Sequence, residues 1–289
     1  MRSRNASLLA LSLLCIALAG CSKSERITAP AVSTPGAARR TFSAGELNAA
    51  VLQSHTFTPG STNPYFPLVP GTVFTYRSKT KDGTEIEVMR VTDQTKVIQG
   101  VTTRVVQDDV RLDGVLTEHT FDWFAQDELG NVWYFGEDSQ SIDPETGEVS
   151  TEGSWQAGKA GADAGIIMEA HPQAGDSYNE ENAAPIAEDQ ARVIALDARA
   201  KVPYGKFDHC LETENTSPLE PTALENKFYA PGVGLLLEVD VTEKTRNELV
   251  SVTGPGGTER EHGHGRRHDD EGRSPEKHHD HKGGRDDAD

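Results

Sequence analysis

Residues 73–92 read Val73-Phe74-Thr75-Tyr76-Arg77-Ser78-Lys79-Thr80-Lys81-Asp82-Gly83-Thr84-Glu85-Ile86-Glu87-Val88-Met89-Arg90-Val91-Thr92, and their alternation decides the fold class. Val73, Thr75 and Arg77 alternate with Phe74, Tyr76 and Ser78. Ile86, Val88 and Arg90 alternate with Glu87, Met89 and Val91. Period-two patterning marks strands, because successive side chains point to opposite faces of a sheet. Between the two runs, Lys81-Asp82-Gly83-Thr84 supplies the Asp-Gly of a tight hairpin.

The same punctuation continues outward. Gln99-Gly100, Asp113-Gly114, Gly130-Asn131 and Asp143-Pro144-Glu145-Thr146-Gly147 separate strand candidates at 95–98, 101–111, 115–126, 131–137 and 147–152. Residues 153–185 are irregular and rich in Gly, Ala and acids, and read as a long connection. Strands resume at 190–203, turn at Tyr204-Gly205, and continue at 206–214, 224–230, 234–241 and 247–253. Turns at such short intervals predict a mostly β fold, a single antiparallel meander sheet. One β-rich domain over 61–253 is long enough to bury a core.

The flanks differ. Residues 22–42 are rich in Ser, Thr, Ala and Pro and read as a flexible tether. Ser43 and Glu46 have capping-box spacing before one short N-terminal helix, with Leu47, Ala50 and Val51 on one face. The tether and helix make a segment over 21–60, within which 59–70 reads as a loop. After 253 the chain contains no Leu, Ile, Val, Phe, Tyr or Trp. A 254–289 segment of Gly, His and charge cannot bury enough surface to offset ordering entropy, so a disordered C-terminal tail is expected.

At the start, Arg2 and Arg4 precede an apolar run from Leu8 to Leu18, the layout of a secretory signal over 1–20. The run is about half the ~20 residues that a membrane span needs. Its ending, Leu18-Ala19-Gly20-Cys21, resembles the lipobox of bacterial lipoproteins. The resemblance implies cleavage before Cys21, a thioether-linked diacylglycerol on that cysteine and acylation of the new amino terminus. Ser22 resembles an outer-membrane sorting choice, which places the expected location in the cell envelope, at the outer membrane. Losing Arg2 and Arg4 makes the net charge more negative still than −18. Phosphate backbones repel such a chain, so nucleic acid is not expected as a partner. Anionic lipid offers it no attraction either, so membrane attachment rests on the acyl chains. With Cys15 in the signal and Cys21 lipidated, Cys210 is left without an intramolecular disulfide partner. Alternation puts Cys210 on the face of Asp208 and Glu212, opposite Phe207, His209 and Leu211, as a small residue on the pleat.

Four further stretches carry a second resemblance. They are Pro67-Leu68-Val69-Pro70-Gly71-Thr72-Val73-Phe74-Thr75-Tyr76, Asn131-Val132-Trp133-Tyr134-Phe135-Gly136, Val202-Pro203-Tyr204-Gly205-Lys206-Phe207-Asp208-His209-Cys210 and Phe228-Tyr229-Ala230-Pro231-Gly232-Val233-Gly234-Leu235. Together they resemble a group of uncharacterised exported, β-rich bacterial proteins and lipoproteins. The resemblance implies a curved antiparallel sheet or half-barrel like those of lipoprotein carrier proteins, and it supplies no catalytic residues.

Candidate chemistry is sparse. His262, His264, His268, His278, His279 and His281 crowd the tail, with Asp269, Asp270 and Asp280 among them. Neutral imidazoles suit Zn²⁺, Ni²⁺ or Cu²⁺, and carboxylates can complete a shell. A hydrophilic extension with incidental affinity is the plain alternative. Gly153-Ser154-Trp155-Gln156-Ala157-Gly158-Lys159-Ala160 nearly matches a phosphate-binding loop, but Ala160 stands where a hydroxyl must hold magnesium. Phe121-Asp122-Trp123-Phe124 and Trp133-Tyr134-Phe135 concentrate aromatics. They read as core, or as an apolar pocket with Trp123, Trp133 and Phe135 as ligand contacts and Asp122 or Glu118 at its rim. Asp138, Asp143, Glu145 and Glu148 read as a solvated acidic turn. No hydrolase elbow and no zinc-protease motif is present in the sequence. The expected function is that of a membrane-anchored envelope lipoprotein acting as a non-catalytic binding or accessory module, for an envelope protein or an apolar ligand. Transition-metal capture by the tail is the alternative. No cofactor is required by either reading.

Overall fold

The computed structural model describes residues 50–257. The signal, Cys21, the capping pair and the histidines of the tail lie outside the described residues. Fifteen strands follow one another: β1 (Phe57–Pro59), β2 (Val73–Lys79), β3 (Thr84–Ile98), β4 (Val101–Leu112), β5 (Val115–Asp127), β6 (Val132–Ile142), β7 (Val149–Ser150), β8 (Trp155–Gln156), β9 (Gly165–Met168), β10 (Ser177–Asn179), β11 (Gln190–Val202), β12 (Gly205–Thr216), β13 (Glu225–Ala230), β14 (Gly234–Asp240) and β15 (Arg246–Thr253). All belong to one open antiparallel sheet in the order β10-β11-β12-β13-β14-β15-β2-β3-β4-β5-β6-β7. Two meanders therefore meet at a central seam, where the last strand pairs with β2 through Leu249↔Tyr76 and Thr253↔Val73.

The turns behave as their residues dictate. Gln99-Gly100 and Asp113-Gly114 both take positive φ, which a two-residue hairpin turn matched to strand twist requires. The expected strands at 85–92 and 95–98 are one strand, β3, with its register broken between Val91 and Thr95. The expected connection at 153–185 carries β8 and β9, both pairing with β6, and the edge strand β10. Strands of two to four residues are too short to show a period, which is why the pattern missed them. The same holds for β1, which pairs with the end of β5. Residues 50–54 are helical, but it is Leu52 that is buried, while Val51 is exposed. At His209 the chain takes φ 56° and β12 bulges against β11. Alternation fails there: Phe207, Cys210 and Leu211 are all buried and His209 is exposed.

Aromatic side chains pack together around β5, β6 and β8. Phe124 stacks on Tyr134 at 4.7 Å between centroids, Phe66 meets Phe124 edge-on at 5.3 Å, and Trp155 meets Tyr134 at 5.3 Å. Gly136, paired with Gln156, is what lets β8 dock. It has φ +121°, and a Cβ there would lie 2.3 Å from the Trp155 carbonyl oxygen and 2.8 Å from the Gln156 Cα. Strained φ and a backbone clash each cost about 1–3 kcal/mol. Gly136→Ala is therefore expected to lower the urea midpoint by the equivalent of about 3 kcal/mol, with Trp155 fluorescence shifting red. An unchanged midpoint would show that β8 is not held where the ladder puts it.

Candidate functional site

Of the concavities among the described residues, two bear on the candidate residues, and a third, about 220 Å³, lies along β10 and β11. The larger, about 310 Å³, lies where 153–162 crosses the sheet, lined by Lys96, Trp123, Glu137, Trp155, Lys159 and Ile186 among others. Trp123 on β5 is buried, and the Lys96 ammonium sits 3.1 Å over its ring centroid. Burial, followed by the neighbouring charge of Lys159, lowers the Lys96 pKa. The near phosphate-binding loop forms part of this wall. It contains β8 and turns at Gly153 and Gly158 rather than leading into a helix, so no helix N-terminus points at an anion there.

The other aromatic candidates do not join Trp123. Trp133 donates its indole N–H to Asp127 Oδ2 at 2.9 Å and meets Phe57 edge-on at 6.0 Å. Phe135 is fully buried and packs edge-on against the same Phe57 at 5.8 Å. Both are thus seated against β1. Asp127 is held below the usual carboxylate range: burial opposes its ionisation, but hydrogen bonds from Trp133, Asn131 and Leu129 outweigh it. Asp122 and Glu118 point inward and are buried rather than standing at a rim.

That inward direction is the main surprise. On β3 it is Glu85 and Glu87 that are buried, while Ile86 and Val88 are only half-buried. Acids recur on the inner face of the next strands, with Asp108 on β4, Glu118 and Asp122 on β5 and Glu137 on β6. The connection adds Glu180 and Glu181. Neighbouring contacts are specific. Asn247 Nδ2 donates to Glu87 Oε2 at 2.5 Å, and Tyr134 OH donates to Asp122 Oδ1 at 2.7 Å while lying 3.2 Å from Glu137 Oε2. The Trp155 indole donates to Glu181 Oε1 at 3.3 Å. Burial is the first cause that raises these acids, and the neighbouring carboxylates add to it. Glu87, Asp122 and Glu180 reach about 7, and Asp108, Glu137 and Glu181 are raised well above the carboxylate range. Sequence reading missed this belt because alternation identifies two faces without saying which is inside. Ile86 and Val88, apolar as they are, lie on the face opposite Glu85 and Glu87.

The smaller cavity, about 40 Å³, opens onto three of these acids, Glu87, Asp108 and Asp122, beneath Phe66, Pro67 and Leu235. On the opposite side of the seam, Lys227 is buried with its ammonium 3.3 Å from Glu238 Oε1 and 3.8 Å from Glu225 Oε2.

Remaining candidates are dispersed. Asp109 accepts from Arg90 at 2.9 Å, and its other oxygen is 2.6 Å from His119 Nδ1. Among the described residues no hydroxyl or thiol hydrogen-bonds that histidine. Cys210 is fully buried and its thiol pKa is raised by that burial, so it is a poor nucleophile. Asp143 caps its own turn through the amides of Glu145 and Thr146. Among the described residues no group of three or more His, Cys, Asp or Glu has metal-holding geometry.

No protein-family model matches the chain, and no curated protein matches it either. Among solved structures, one described as "a putative lipoprotein" from Parabacteroides distasonis is similar at a TM-score of 0.38 and 13% identity, covering 66% of this chain and 99% of that chain.

Proposed function

We propose that the chain is a lipid-anchored envelope protein whose sheet serves as a non-catalytic binding module, with the groove beside Trp123 as its ligand site. The groove carries the reading. It joins two indoles and Ile186 to two lysines, with Glu137 and Asp138 on the same wall, a lining that suits an apolar ligand with a polar end. Such sites bury a hydrophobic body and fix it with a few polar groups. The lipobox ending at Cys21 supports anchoring, and Ser22 supports the outer membrane.

The test uses a dansyl-labelled short-chain fatty acid and the full chain in detergent. Saturable emission from the groove is expected, weakened at least tenfold by Trp123→Ala or Lys96→Gln, whereas Trp133→Phe should leave it intact. Equal binding by all variants would remove the groove from consideration. In cells, Cys21→Ser is expected to abolish incorporation of labelled palmitate and to shift the protein from the membrane to the soluble envelope fraction. Unchanged labelling would refute the anchor.

A second reading rests on the sequence of the tail, where six of the ten histidines fall. Calorimetric titration of Zn²⁺, Ni²⁺ and Cu²⁺ into the chain with and without 254–289 tests it. Submicromolar binding lost on truncation would make the tail a metal-capture segment, and weak, graded uptake would reject that role.

A further inference from the structure

The described lysines divide by what surrounds their ammonium. Lys227 is buried with Glu225 and Glu238, and Lys81 lies 3.7 Å from Glu243. Lys79, Lys201 and Lys206 stand exposed on their strands. Lys96 matches neither kind. It is half-buried on β3, no carboxylate of a described residue forms an ion pair with it, and its Nζ stands 3.1 Å over the centroid of the Trp123 ring. The ring covers one side of that nitrogen, and Trp155 and Ile186 add apolar wall to the same groove. A ring face favours the ammonium form. Burial and the charge of Lys159 work against it, and Asp138 offsets them only in part. A lysine desolvated in an apolar pocket beside a second cation is an arrangement that makes the amine nucleophilic.

The lining also limits what this amine can meet. Lys96 and Lys159 share it with Glu137 and Asp138, so a charged ligand end of either sign meets repulsion as well as attraction. Glu137 is buried, and burial, then Glu181 and Asp122, raises its pKa well above the carboxylate range, so it stands there as a neutral acid. An uncharged polar end on an apolar body avoids the repulsion. A carbonyl is such an end, and an aldehyde is the uncharged carbonyl that condenses most readily with an amine.

We infer that Lys96 holds an aliphatic aldehyde covalently, as an imine, in the Trp123 groove. This rests on the groove being the ligand site and names the chemistry of its occupant. The step is a condensation. The unprotonated Nζ adds to the carbonyl carbon, its two hydrogens leave with the carbonyl oxygen as water, and a C=N bond replaces the C=O bond. Nothing is oxidised or reduced, and hydrolysis in reverse releases the ligand unchanged. Trp123 positions the nitrogen, while Trp155 and Ile186 supply apolar surface for the hydrocarbon chain.

The experiment incubates the full chain in detergent with hexanal and cyanoborohydride at neutral pH. The reductant converts an imine to a stable secondary amine, and peptide mass spectrometry maps the adducts. Lys96 is expected to be alkylated at least tenfold faster than the exposed Lys79, Lys201 and Lys206, and that preference is expected to vanish in concentrated urea. Trp123→Ala is expected to bring Lys96 down to the rate of the exposed lysines. Equal rates in the folded wild-type chain overturn the inference, whether or not the variant folds, and so does a preference that survives urea. Faster alkylation of Lys159 than of Lys96 overturns the choice of nucleophile. Saturable binding of the dansyl-labelled fatty acid without selective alkylation overturns the imine alone, whereas loss of both overturns the groove reading with it.

Discussion

Raising the pH from 5 to 8 is expected to destabilise the folded chain by several kcal/mol. Glu87, Asp122 and Glu180 have folded pKa values of about 7 against ordinary values of 4.5 for Glu and 3.8 for Asp. Between those limits the folded state holds protons that the unfolded state has released. Folding is then proton uptake, and stability falls as pH rises. The advantage is fully present below about pH 4, declines through pH 5 and 6, and is lost above about 7. Each such group contributes about 1.4 kcal/mol per pH unit inside its window. The opposite sign applies to Asp109 and Asp127, whose pKa values are lowered. They stabilise above pH 4 and lose that contribution as pH falls through their folded values. The two limbs place the stability maximum near pH 4–5. Thermal melts at pH 4, 5, 6, 7 and 8 check this, and a Tm that is flat or rises from pH 5 to 8 would mean that the inner acids are ionised and solvated.

Lys227→Met should cost about 3–5 kcal/mol at pH 8, because it leaves buried carboxylates without their cation. Burial alone would lower the Lys227 pKa, yet Glu238, Glu180 and Glu225 together raise it well above its ordinary value. The lysine is therefore charged at both pH 5 and pH 8. Its removal should be far less damaging at pH 5, where the orphaned acids can accept protons. Urea denaturation of both proteins at the two pH values reads the difference. A stability gap of equal size at pH 5 and pH 8 would show that the loss comes from packing of the lysine stem and not from charge.

Much of the sheet was legible because its signals are local. Asp82-Gly83, Gln99-Gly100 and Asp113-Gly114 fix hairpins within a few residues, and the strands between them are long enough to show their period. The pairing of β15 with β2 was not legible, since neither Leu249 nor Tyr76 carries any mark of the other. Of the site, the sequence isolated Trp123 as an aromatic of interest but grouped it with Trp133 and Phe135. The separation arises from β1, whose Phe57 claims the latter two. Lys96 and Trp155 went unnoticed as groove residues because the 153–162 crossing that assembles them has no periodic pattern.

The seam between β15 and β2 also sets a timetable. A chain delivered N-terminus first can zip β2 through β6 as it emerges, each strand meeting the one just before it. The other edge of β2 then waits, unpaired, until the final strand arrives. Non-local pairing of this kind folds slowly, and an unpaired edge beside Phe74 and Tyr76 invites pairing with another copy. A chain cut short before residue 246 would hold two half-sheets with no strand to join them, and would leave the edge of β2 open to pairing with another chain.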